Sequence, residues 1–176
     1  MRGLNIWRYC VTVAPGSLKP FVKVRILMPL PLRKENIMRR LFIMRKDLNM
    51  SAGKLAAQVG HCAEAYWLKQ MRKTEIFHHQ VQMVAHVDED IYEDYINGDI
   101  VKTICEAKSK NHLLKAKTVA EEFGLKENED FGFIKDKCFT ELKPEEDDGT
   151  TITGIWFKPL PDDVAHQISK KYQLYK

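Results

Sequence analysis

The sequence predicts an α/β domain, a mixed sheet of about four strands with helices on both faces. Three observations predict it. Short apolar runs alternate with amphipathic segments from residue 40 onward. The elements follow the order β-α-(α)-β-α-β-β-α. At 176 residues, 44% hydrophobic and 30% charged, the chain has the size and composition of one domain with a proper core.

The first strand is "LFIMR" (41–45), a short apolar run suited to burial on both faces. Ser51 then offers an N-cap, and a helix is expected to run from there to about Lys73. The polar stretch "HHQVQMVAHVDEDIYEDYINGDI" has no clear period and is expected to be helical in part. "VKTICEA" (101–107) alternates as a strand. "NHLLKAKTVAEEFGL" places Leu113, Leu114, Ala116, Val119, Ala120 and Phe123 on one helical face, with Gly124 as its stop. "DFGFIKD" and "TITGIWFK" are two further strands joined by the acidic loop "KPEEDDG". "PDDVAHQISKKYQLY" predicts a closing helix, with its proline and two acids at the end where the helix dipole is positive.

Charge is unevenly divided. Residues 1–38 hold seven of the 28 Lys and Arg but one of the 24 Asp and Glu, so the rest of the chain balances 21 basic against 23 acidic residues. A global basic surface for nucleic acid is therefore excluded for the main domain, and any anion site must be local. Residues 1–38 carry four prolines and no sustained period, and form a basic N-terminal extension to a domain spanning 39–176. The extension fits upstream sequence ahead of a true start at Met38, a transit peptide, or a basic arm. The first is preferred, because "MRRLFIMRKDL" begins a strand at once. No apolar run approaches the ~20 residues of a membrane span. Cys10, Cys62, Cys105 and Cys138 lack metal-ligand spacing and read as reduced intracellular thiols. His78, His79 and His86 are a conceivable metal set, but adjacent histidines diverge in regular structure and no acid stands at ligand spacing, so no metal is expected.

Two constellations could carry chemistry. In "SAGKLAAQVGHCAEAYW", Lys54, Gln58 and His61 project within an arc of about 60°, apart from an apolar stripe of Leu55, Val59, Cys62 and Tyr66. Ala56, Ala57, Gly60 and Ala63 form a third face, small enough to admit another backbone. A helix with two buried faces and three polar side chains between them would line a cleft. Lys54 opposes the helix dipole, and with free amides nearby it could hold an oxyanion. In "FIKDKCFTEL…DDGTTITG", Asp136 closes a strand, with Thr140, Thr150, Thr151 and Thr153 following. Strand carboxyl ends are common functional positions in open α/β sheets.

The two stretches together, "RKDLNMSAGKLAAQVGHCAEAYW" and "KDKCFTEL…GTTITGI", resemble the archaeal and eukaryotic type of peptidyl-tRNA hydrolase, over about residues 39–176. The resemblance implies a four-stranded mixed sheet between helices, frequent homodimers, and no metal or organic cofactor. It implies cleavage of the ester joining a peptide to the 3′ ribose of tRNA, with peptidyl-tRNA as partner. The location would be cytoplasmic, or mitochondrial should residues 1–38 be a transit peptide. Carried over by position, Lys54, His61 and Asp136 are the catalytic group, and Gln58, Thr140 and Thr151 bind substrate. Asp136 would act as base or orient His61, and Lys54 with helix-start amides would stabilise the oxyanion. Thr140 and Thr151 would meet the terminal adenosine or the water, and Gln58 the peptide carbonyl. Lys137, Cys138 and Phe139 stand where the family usually has a small residue, a glycine and an arginine. The loop acids Glu145, Glu146, Asp147 and Asp148 would repel phosphates unless they point away. A catalytically silent tRNA- or protein-binding relative, and an esterase for another acyl ester, are the alternatives.

Overall fold

A strand apolar on both faces needs cover on both, and that requirement organises the fold. The computed structural model describes residues 37–77 and 80–176, with backbone alone for 73–77. In chain order the elements are β1 (Met38–Arg45), α1 (Ala52–Gln70), β2 (Met71–Phe77) and β3 (Gln80–Ala85). Then come α2 (Glu89–Ile91), running on into a π-helical turn (Tyr92–Ile96), β4 (Val101–Ala107), α3 (Lys110–Glu122) and β5 (Phe131–Asp136). β6 (Thr151–Phe157), β7 (Leu160–Pro161), α4 (Asp162–Ser169) and β8 (Gln173–Leu174) complete the chain.

The four expected strands form the body of the sheet in the order β5-β6-β1-β4, extended by β8, with β7 also pairing β1. β1 runs parallel to β4 and antiparallel to β6, which is antiparallel to β5. The carboxyl ends of β1 and β5 therefore lie at the same edge. Alternate residues of β1 serve opposite faces. Leu41 and Ile43 join Leu113, Ala116 and Ala120 of α3 and Ala165 and Ile168 of α4 in one core. Phe42 and Met44 join Cys62 and Tyr66 of α1, Ile91, Tyr95 and Trp156 in the other.

Several element boundaries differ from the sequence expectation. α1 ends at Gln70, because Met71 is already extended (φ −72°, ψ 130°) and opens a β2–β3 hairpin. The alternation Gln80-Val81-Gln82-Met83 is the period-two signal for that pairing, and among the described residues of this stretch helical structure is confined to 89–96. The closing helix stops at Ser169, where the open edge of β4 takes up Gln173 and Leu174 as an antiparallel strand. No described backbone packs on the small face of α1 at its start: Ala56 and Ala57 are exposed, and a Cβ on Gly60 would meet nothing within 4 Å. Ala63, at the other end of that face, packs against the core beneath α1. Residues 1–36 and the pair His78 and His79 lie outside the described residues, while His86 is exposed just beyond β3.

Arg40, in the middle of the sheet, is fully buried. Its guanidinium donates to the backbone carbonyls of Phe157 (3.3 Å) and Cys62 (2.9 Å) and to that of Ala63, tying β1 to β6 and to the middle of α1. The rings of Phe42, Trp67 and Tyr66 lie 5.0, 5.7 and 5.8 Å from it. Burial lowers its pKa from that of free arginine, and the partial charges of carbonyls and ring faces compensate the cation. Arg40→Ala should destabilise the domain by about 2–5 kcal/mol through the cavity it leaves, read as a lower urea midpoint at unchanged slope.

Candidate active site

The turn from β1 into α1 sets the site. Asn49 takes a left-handed conformation (φ 45°), and Ser51 caps α1 by accepting from the Lys54 amide (3.2 Å). The Ser51 hydroxyl and amide in turn donate to the Glu141 carboxylate at 2.8 and 3.3 Å, so a carboxylate from the loop after β5 sits at the positive end of the helix. The helix-start amides are thus partly committed within the chain.

One turn along, Lys54 and Gln58 converge on Asp136 at the end of β5. Lys54 Nζ lies 2.7 Å from Asp136 Oδ2 and donates to Thr140 Oγ1 at 3.1 Å. Gln58, 2% exposed, donates through Nε2 to the same Oδ2 (2.8 Å) and accepts at Oε1 from Thr153 Oγ1 (2.7 Å). The Cys138 amide donates to Asp136 Oδ1 (2.8 Å), closing an Asx turn in which Cys138 has φ +56°. Burial works to raise the Asp136 carboxyl, but the bonds from Lys54, the Cys138 amide and Gln58 outweigh it and hold the group below the ordinary aspartate range.

The structure therefore brings Lys54, Gln58, Asp136 and Thr140 into one network. Thr151 is adjacent in the register, paired with Asp136, but it is fully buried and its hydroxyl donates to the Lys143 carbonyl (2.6 Å). His61 is exposed on the next turn of α1 and makes no hydrogen bond or ion pair among the described residues, so it is not brought to Asp136. Thr153, one of the threonines that follow Asp136 and without an expected role, is the residue that holds the Gln58 amide. Its selection over Thr151 as the Gln58 partner comes from an irregularity in the β5–β6 register, where Ile134 pairs Gly154 but Lys135 pairs Ile152. Such a bulge re-aims a side chain, and no residue pattern announces it.

The acidic loop is neutralised within the chain. Glu145 pairs with Arg45, which is 3% exposed and also holds Asp47 at 2.6 Å. Glu146 pairs with Lys110, and Asp148 lies 2.8 Å from Lys135. Asp148 is drawn down to about 2 by Lys135 and Thr150, and the Arg45 bond keeps Glu145 below its usual range. Three of the four carboxylates thus have their own cations, and the expected repulsion of phosphates is largely cancelled.

The chain matches the peptidyl-tRNA hydrolase PTH2 family over residues 38–175. It belongs to that family. Relatives named peptidyl-tRNA hydrolase include a Thermoplasma acidophilum protein, 24% identical over 138 residues covering 78% of this chain and 98% of its own. A Thermococcus sibiricus protein of the same name is 26% identical over 136 residues, covering 77% of this chain and 96% of its own. Membership of this hydrolase family makes peptidyl-tRNA the substrate class and an α/β fold of this kind the scaffold.

Depressed carboxyl groups make a pH statement. Asp136 and Glu145 titrate lower in the folded chain than their ordinary values of 3.8 and 4.5. Each therefore adds stability that is full above its ordinary value and is lost as pH falls through the lower folded one. Urea unfolding below pH 4.5 should show wild-type stability falling more steeply with acid than that of Asp136→Asn or Glu145→Gln.

Proposed function

We propose that this chain hydrolyses the ester between an N-blocked aminoacyl or peptidyl group and the 3′ end of tRNA, with Lys54 and Asp136 at the reacting atoms. The observation that carries this assignment is the donor count on Lys54. An ammonium has three N–H groups, and two of them are taken by Asp136 Oδ2 and Thr140 Oγ1. The third is left to polarise an ester carbonyl and to hold the oxyanion that forms there.

Asp136 complements it. Oδ2 is filled by Lys54 and Gln58, whereas Oδ1 accepts a single bond from the Cys138 amide and has a lone pair left for water. A carboxylate held below the ordinary aspartate range is a weak base, so its part is to orient the attacking water. Water adds to the ester carbon, the carbon–oxygen bond to the ribose breaks, and the proton ends on the departing 3′ oxygen. The products are a free acid and a tRNA with its hydroxyl restored. Gln58 and Thr153 are positioning residues, because their hydrogen bonds fix the carboxylate and both side chains are buried. Thr151 supports the loop through Lys143, and Thr140 is exposed at the rim beside the free ammonium donor. His61 faces solvent on the open side of α1, where it would meet bound substrate outside the network.

The reading carries a cytoplasmic site of action, where translation leaves peptidyl-tRNA. No described helix is long and apolar enough to cross a membrane. The test is release of the amino acid from N-acetylaminoacyl-tRNA by purified protein. Lys54→Ala should lower kcat/KM by about 10²–10³-fold, the loss typical of one oxyanion donor. Unchanged turnover would remove Lys54 from the chemistry.

A further inference from the structure

Phe139 is 86% exposed, immediately before Thr140 at the rim of the site. It is the most exposed large apolar side chain among the described residues, and an aromatic ring is the side chain with the most apolar surface to gain from a partner. The ring is exposed although the segment around it is fixed at almost every residue. The Cys138 amide is bonded to Asp136, Thr140 to Lys54, and Glu141 to Ser51, while Leu142 is buried in the core beneath α1. The left-handed turn at Cys138 is where the chain changes direction just before the ring. Phe139 is thus a pre-organised apolar surface on an anchored segment, next in sequence to the hydroxyl that holds Lys54.

From this placement we infer that Phe139 is a stacking platform for the unpaired nucleobase at the 3′ end of the substrate, which makes it a substrate-binding and specificity-determining residue. The inference rests on the proposed ester hydrolysis at Lys54. In a 3′-aminoacylated nucleotide the ester and the base share one ribose, so an ester held at the Lys54 ammonium brings a base within reach of the rim. Exposed single-stranded bases gain binding by lying on aromatic rings, and they do so with little dependence on sequence. The exposed Lys137 and Lys143 on either side of the segment supply cations for the adjoining phosphates, which favours a nucleotide over a purely apolar partner.

The probe is a CCA trinucleotide bearing an N-acetylalanyl group through a 3′-amide, compared with the same molecule lacking the terminal base. Wild-type protein should bind the complete probe about tenfold more tightly than the abasic one, as one base–aromatic stack predicts. Phe139→Ala should erase that preference and Phe139→Tyr should keep it, both with an unchanged melting temperature because the side chain is exposed. Equal binding of the two probes by wild type, or a preference that survives in Phe139→Ala, overturns the platform. Release of N-acetylalanine from the matching esters reads the hydrolysis separately. Cleavage with no base preference overturns the stacking alone. Base preference lost in Phe139→Ala, but without cleavage, supports the stacking and overturns the hydrolytic role of Lys54.

Discussion

Burying a carboxylate costs several kcal/mol unless its oxygens are occupied by donors, and the solution found for Asp136 shapes this end of the molecule. Its donors come from two places: Lys54 and Gln58 on α1, and the amide of Cys138 in the following turn. Satisfying one anion therefore fixes α1 against the end of β5 and sets the path of the loop beyond it. It also fixes the sense of a longer chain of bonds. An ionised carboxylate only accepts, so the Gln58 amide must turn its NH₂ toward Asp136 and its oxygen toward the Thr153 hydroxyl. Each member has one permitted orientation.

The two buried arginines of β1 follow the same logic with opposite sign and different partners. Arg45, at the strand's carboxyl end, is matched by Asp47 and Glu145 and anchors the loop that joins β5 to β6. Arg40, nearer the other end, is matched by backbone carbonyls and aromatic faces and holds α1 to the sheet. Together they tie the helix and the loop, the two elements that carry Lys54 and the support of Thr151, to the same strand.

The architecture was legible because burial imposes period. The four long strands, the capping Ser51, the stop at Gly124 (φ +77°) and the grouping of Lys54 with Gln58 all follow from spacing or turn chemistry and all occur. What escaped depended on partners distant in sequence. The β2–β3 hairpin was overshadowed by polar composition, although Val81 and Met83 alternate with glutamines. Thr151 drew the expected role and Thr153 none, and the register irregularity reverses that at Gln58. His61 shares an arc with Lys54 but not its environment, since Gln58 is buried whereas His61 is exposed. Helical angle does not report how far down a groove each side chain reaches. The loop acids looked repulsive because their cations, Arg45, Lys110 and Lys135, lie 100, 36 and 13 residues away.

The left-handed backbone at Cys138 links proton chemistry to mechanics. A side chain bearing a Cβ pays roughly 1–2 kcal/mol to remain in that region, and the bond from its amide to Asp136 Oδ1 opposes the tendency to leave it. Neutralising the carboxyl weakens that latch. Acidification would then act on shape as well as on charge, loosening the turn that leads into the aromatic rim while Thr140, Glu141 and Leu142 keep their own anchors.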